Sequence, residues 1–174
     1  LGVTAGRGKL TPQGLQELVQ DSVDKLVFQE VESWQRQLGD HGIRHIVGNL
    51  VSQRRIFDAL RDSGHQVSSR QRLLASVVAL NHDVGYTVGE ARESVAHTKH
   101  HHEYGQRAFE RQHEFFSKFF DDDELSAIGH YIRNHDQPDI DWEQDPVLSA
   151  VSVADNLALF HADKLPPLFR YVEG

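Results

Sequence analysis

Apolar residues recur at helical intervals along most of this chain, and no stretch alternates in the manner of a β-strand. Thr11-Pro12 reads as a helix start, with Thr11 as the cap and Pro12 in the first turn. Leu15, Leu18, Val19, Ser22, Val23, Leu26, Val27 and Val31 follow at helical spacing, Trp34 and Leu38 extend the stripe, and Gly39-Asp40 ends it. Such a helix is expected to cover the core, and its length would also suit a homodimer surface. Ile43, Ile46, Val47, Leu50, Val51, Ile56, Phe57 and Leu60 mark the apolar side of a second helix, which Asp62-Ser63-Gly64-His65 closes with a turn. Ser68-Ser69 introduces a third, whose run from Leu73 to Leu80 reads as buried. Ala108, Phe109, Phe115 and Phe116 belong to another. Leu125, Ile128, Tyr131 and Ile132 form the next, behind Asp121-Asp122-Asp123-Glu124, whose charge suits a helix N-terminus. Asp145-Pro146 caps a last helix of dense apolar residues, Val147 through Leu159, and Pro166-Pro167 closes the helical region. Residues 1–10, rich in glycine, read as a flexible tail. The expectation is an all-α fold, with one domain over residues 11–174 and the first helix as an accessory to the bundle.

Composition narrows the chemistry. A chain of 174 residues with 39% hydrophobic residues and 5 prolines is long enough for one real core. A net charge of -8 argues against a general nucleic-acid surface, though not against a small phosphorylated substrate if a metal supplies local positive charge. The absence of cysteine excludes disulfides, thiolate metal sites and cysteine nucleophiles. No apolar run approaches the roughly 20 residues of a membrane span, and no secretory pattern is visible, so a cytoplasmic setting is expected.

The 12 histidines matter through their positions. His82-Asp83 stands at the end of the Leu73–Leu80 run, where ionisable groups are costly unless paired or bound to a metal. An imidazole beside a carboxylate is half a ligand set for a divalent ion. His41 and His45 lie four apart, with His45 bordering the apolar stripe; a core histidine bonded to a backbone carbonyl would explain it equally well. His97 and His101 lie four apart in His97-Thr98-Lys99-His100-His101-His102-Glu103-Tyr104-Gly105. His135 ends the helix carrying Ile132, and Asp155 sits inside the apolar run of the last helix, where a buried carboxylate demands a partner.

Taken in order, His45, His82-Asp83, His101, His135 and Asp155 resemble the HD domain superfamily of metal-dependent phosphohydrolases over roughly residues 40–160. His41-Gly42-Ile43-Arg44-His45 is similar to the opening helix of that family. Leu80-Asn81-His82-Asp83-Val84-Gly85 is similar to its central signature, His101-His102-Glu103-Tyr104-Gly105 to its third element, Ile132-Arg133-Asn134-His135 to its fourth and Ser152-Val153-Ala154-Asp155 to its closing helix. The resemblance implies an HD-like helical bundle in which His45, His82, Asp83 and Asp155 hold one metal. In the two-metal subgroup Asp83 bridges, while His101 and His135 hold a second ion. His102 competes with His101 for the third element and His130 with His135 for the fourth; counting back from Gly105 and the end-of-helix position favour His101 and His135.

One or two ions of iron, manganese, zinc, cobalt or nickel, with magnesium also admissible, would suit these ligands and activate a water for attack on phosphorus. The candidate catalytic residues are then Asp83 and three phosphate-facing cations, Arg44, Lys99 and Arg133. The implied activity is hydrolysis of a phosphomonoester or phosphodiester in a nucleotide or similar small compound. A di-iron oxygenase and a non-catalytic, metal-stabilised sensory domain are the alternatives within the same ligand set. His135-Asp136-Gln137-Pro138-Asp139 lacks the glycine and Gly-Tyr-Pro pattern of the cyclic-di-GMP phosphodiesterases, so that substrate is not implied. Val84-Gly85-Tyr86 also lacks the lysine that often follows the glycine.

Overall fold

The computed structural model describes residues 11–36, 42–86, 100–137 and 144–159. Among them the fold is all-α: α1 (Pro12–Arg36), α2 (Ile43–Asp62), α3 (Ser69–Asn81), a 3-10 turn (His82–Tyr86), α4 (His101–Glu110), the single turn α5 (His113–Phe116), α6 (Asp122–Asn134) and α7 (Pro146–Leu159), with no strand. Among the described residues no helix is long and apolar enough to cross a membrane.

Local chemistry sets most of the helix starts. The Thr11 hydroxyl accepts from the Gly14 amide at 3.0 Å and Asp145 accepts from the Leu148 amide at 3.0 Å. Ser68 with Gln71, and Asp121 with Glu124, form reciprocal capping boxes at α3 and α6. Glu124 does more than cap, because its fully buried carboxylate also receives Arg70 Nε and Nη2, both at 2.6 Å. That pair ties the start of α3 to the start of α6. The acidic run therefore has a structural use at Glu124. Gly64 ends α2 in the left-handed region, at φ 89°, which favours glycine.

α3 is the central element, touching α1, α2, α6 and α7 as well as the 3-10 turn that continues it. Leu74, Ala75, Val78 and Ala79 are completely buried, which explains the nearly continuous apolar run from Leu73 to Leu80. The core around them joins Phe57, Phe109, Phe116, Phe120, Ile128, Ile132 and Val151. α2 lies along α7, and α4 lies against both α6 and the 3-10 turn.

Two helix faces differ from the sequence expectation. Leu15, Val19, Val23 and Val27 form an exposed row on α1, at 46, 54, 45 and 54% exposure, while Gly14, Leu18 and Gln29 are buried. On α2, Val47 and Val51 are exposed and the buried positions are His45, Ile46, Gly48, Asn49, Gln53 and Phe57. Following the apolar residues alone rotates the predicted inner face of α2 away from the true one, because the true one is largely polar. The tail at 1–10, the end at Pro166-Pro167, His41, His97 and the loop after Tyr86 lie outside the described residues.

Candidate metal centre

Three elements deliver four ionisable side chains to one place. His45 stands in the first turn of α2, His82 and Asp83 open the 3-10 turn, and Asp155 lies in the second half of α7. His45 Nε2 is 2.9 Å from Asp155 Oδ1, 3.3 Å from Asp83 Oδ2 and 3.2 Å from His82 Nε2. His82 Nε2 is 3.1 Å from Asp155 Oδ1 and 3.3 Å from Asp83 Oδ2. His45, His82 and Asp83 are buried, and Asp155 keeps 16% of its side chain exposed.

These separations have a simple physical reading. His82 Nδ1 lies 2.8 Å from the Ala79 carbonyl oxygen, which can only accept, so Nδ1 carries the hydrogen. In the neutral ring, Nε2 then presents a lone pair to two carboxylate oxygens, and nothing but a cation makes that favourable. A proton on Nε2 can serve one such contact well. A divalent ion serves several donors together, and His45, His82 and Asp155 lie close enough to share one: at bond lengths of about 2.1 Å, adjacent ligands stand about 3.0 Å apart in an octahedron and about 3.4 Å in a tetrahedron. The observed 2.9 to 3.3 Å lies at or between these limits. These buried groups could therefore hold a metal ion.

The proton balance says the same. Burial alone would keep His82 neutral, but the Asp83 and Asp155 charges overcome it and hold its pKa well above 6.5. Burial likewise opposes ionisation of Asp155, yet the His82 charge and the hydrogen bonds from His45 and His82 keep its pKa well below the usual carboxylate range.

A second group adjoins the first. His101, the first residue of α4, and His135, which caps α6, have their Nε2 atoms 3.1 Å apart. His135 donates from Nδ1 to the Ile132 carbonyl at 2.7 Å, repeating the arrangement at His82 and fixing the same tautomer. Burial, then the neighbouring His82 charge, pushes its pKa down to about 4. His82, Asp83 and His135 also form a possible ion-holding group, and Asp83 turns its other oxygen, Oδ1, towards His101 Nε2 at 3.9 Å. One carboxylate thus faces both groups.

The structure separates the competing histidines. His102 faces Asp136 at 3.5 Å, and His130 is exposed and bonded to Asn134. His65, His100 and His113 are exposed. Of the proposed phosphate-facing cations, Arg44 is exposed on α2, and Arg133 is exposed and engaged with Glu103 and Gln106 of α4. Adjacent helical residues point about 100° apart, which carries Arg44 away from buried His45 to the surface, and Arg133, two residues before His135, points about 200° away from it. Lys99 lies outside the described residues.

The sequence reading missed several supporting residues. Gly85 is needed for contact and not for a left-handed turn: a Cβ there would overlap the His101 carbonyl oxygen and meet the Gly105 nitrogen at 2.8 Å. Gly105 reciprocates, since its Cβ would stand 2.9 Å from the His82 carbonyl oxygen. The two glycines let the His82-Asp83 and His101 backbones touch. Tyr86 stacks on the His101 ring with centroids 4.4 Å apart and planes 8° from parallel. Asn49 donates to Asp155 Oδ1 at 3.4 Å and receives from Gln53 at 2.9 Å. The spacing of His45, Asn49 and Gln53, a polar row along an apolar helix, was the available signal for the last two.

Comparison of the chain with protein-family models, with curated proteins and with solved structures gives no match. The functional reading therefore rests on the cluster.

Proposed function

We propose that this chain is a metal-dependent phosphohydrolase of the HD type, acting on a nucleotide or another small phosphorylated compound. What carries the reading is the convergence of His45, His82, Asp83 and Asp155 with the His82 tautomer set by the Ala79 carbonyl. These four would hold one ion; Asp83 Oδ1, His101 and His135 offer a second position. A divalent ion held there would lower the pKa of a coordinated water and polarise a phosphoryl oxygen.

The protein's own part is orientation. The Ala79 and Ile132 carbonyls fix the rings of His82 and His135 before any substrate arrives, so little reorganisation is needed during reaction. The partial exposure of Asp155 gives the cluster an edge towards solvent. A chain of net charge -8 repels a phosphate at long range, which leaves the ion as the local source of attraction.

The test is elemental analysis of protein purified without added metal, followed by release of nitrophenol from p-nitrophenyl phosphate and bis(p-nitrophenyl) phosphate. The wild-type chain should retain an ion near stoichiometrically and turn over at least one ester. Asp83→Ala and Asp155→Ala should lose both properties, and His101→Ala should lose only a second ion. Full occupancy in Asp83→Ala would overturn the assignment. Oxygen consumption without phosphate release would transfer the centre to dioxygen chemistry.

A further inference from the structure

Asn49 and Gln53 are 0% and 2% exposed, and burying two carboxamides is costly unless their bonds are made. With His45 they form a row at intervals of four along α2, on the face turned to α7. The direction of their bonds follows from the carboxylate outwards. Asp155 Oδ1 can only accept, so the Asn49 atom 3.4 Å away is Nδ2. Asn49 Oδ1 then faces Gln53, which must present Nε2, and does so at 2.9 Å. Take away the Gln53 donor and only the 3.4 Å contact to Asp155 holds the Asn49 amide in that sense; turned over, it would set an oxygen against Asp155.

We infer that Gln53 and Asn49 form a two-amide relay that orients Asp155 towards His45 and His82, making Gln53 a positioning residue for the metal centre although it touches no ligand. Asp155 is the residue that needs one, since it keeps 16% of its side chain exposed where the other three are buried. Hydrogen-bonded partners of metal ligands commonly set affinity in this way. The affinity part of the inference rests on reading the cluster as a metal centre; the orientation part does not.

Two measurements on the whole chain test it. Titration of Co²⁺ alone into wild type, Gln53→Met, Asn49→Leu and the double variant should show about a ten-fold loss for Gln53→Met and at least as much for Asn49→Leu. The double variant should bind no worse than Asn49→Leu, since the relay acts through Asn49. In metal-free protein, the Asn49 side-chain amide signal in ¹⁵N NMR should shift with Asp155→Asn and with Gln53→Met. Wild-type Co²⁺ affinity in Gln53→Met, or additive losses in the double variant, would overturn the relay, and so would an Asn49 signal that neither substitution moves. Should the wild type bind no Co²⁺, the metal reading fails and the amide signal alone decides the relay.

Discussion

Replacing Gly85 by alanine adds a single methyl group at the seam between the two halves of the centre. Its Cβ would overlap the His101 carbonyl oxygen, with the carbonyl carbon at 2.7 Å and the Gly105 nitrogen at 2.8 Å. All three are backbone atoms, so no rotamer change relieves the contact, and α4 must move off the 3-10 turn. Overpacking of a core typically costs about 1–3 kcal/mol when side chains can give way. A rigid backbone obstacle places Gly85→Ala at the upper end or beyond, about 3–5 kcal/mol. At about 2–4 °C per kcal/mol for a chain of this size, the melting temperature should fall by on the order of 10 °C. Gly129→Ala is the internal control: its Cβ meets Gln106 Cγ at 3.8 Å, an ordinary contact within α6. That variant should gain about 0.5–1 kcal/mol from helix propensity. Thermal unfolding followed by circular dichroism reads both, and metal titration should show Gly85→Ala losing first any ion that His101 and His135 would hold. If Gly85→Ala melts with the wild type and keeps that ion, the close approach of His101 to the His82-Asp83 turn is wrong.

Arg70→Met should destabilise the chain by about 2–4 kcal/mol in denaturant unfolding, because it leaves the fully buried Glu124 carboxylate without its 2.6 Å partners. The Arg70 hydrogen bonds hold the Glu124 pKa below 4.5; their stabilisation is complete above that value and is lost as pH falls through the folded pKa, so Arg70→Met should also flatten the acid limb of the stability profile. His82, whose pKa stands well above 6.5 without metal, must give up its proton to become a ligand. Calorimetry in buffers of different ionisation enthalpy should therefore show proton release on metal binding at pH 7, with affinity rising as pH rises towards the His82 value.

Much of this protein is readable along the chain because it depends on near neighbours. Ser68-Ser69, the acidic run from Asp121 and Thr11-Pro12 act within one turn, so the starts of α3, α6 and α1 were legible, whereas the capping boxes that Gln71 and Glu124 complete emerged only in the structure. The apolar run of α3 announced a buried central helix, and His82, Asp83, His135 and Asp155 stood out because ionisable groups are costly beside such runs. Other features depend on what meets across the fold. Nothing near Val47 or Val51 in sequence says that α2 turns them outward; that follows from α7 bringing Asp155 to the opposite face, where His45, Asn49 and Gln53 are required. Arg133 is adjacent to no partner in sequence, yet Glu103 and Gln106 of α4 meet it at the surface. His102 and His101 differ by one position, and only the packing of α4 on the His82-Asp83 turn, through Gly85 and Gly105, sends one inward and leaves the other beside Asp136. Residue type and local spacing thus determined which chemistry was available, whereas the contacts between helices distant in sequence decided which side chains share one ion-sized space.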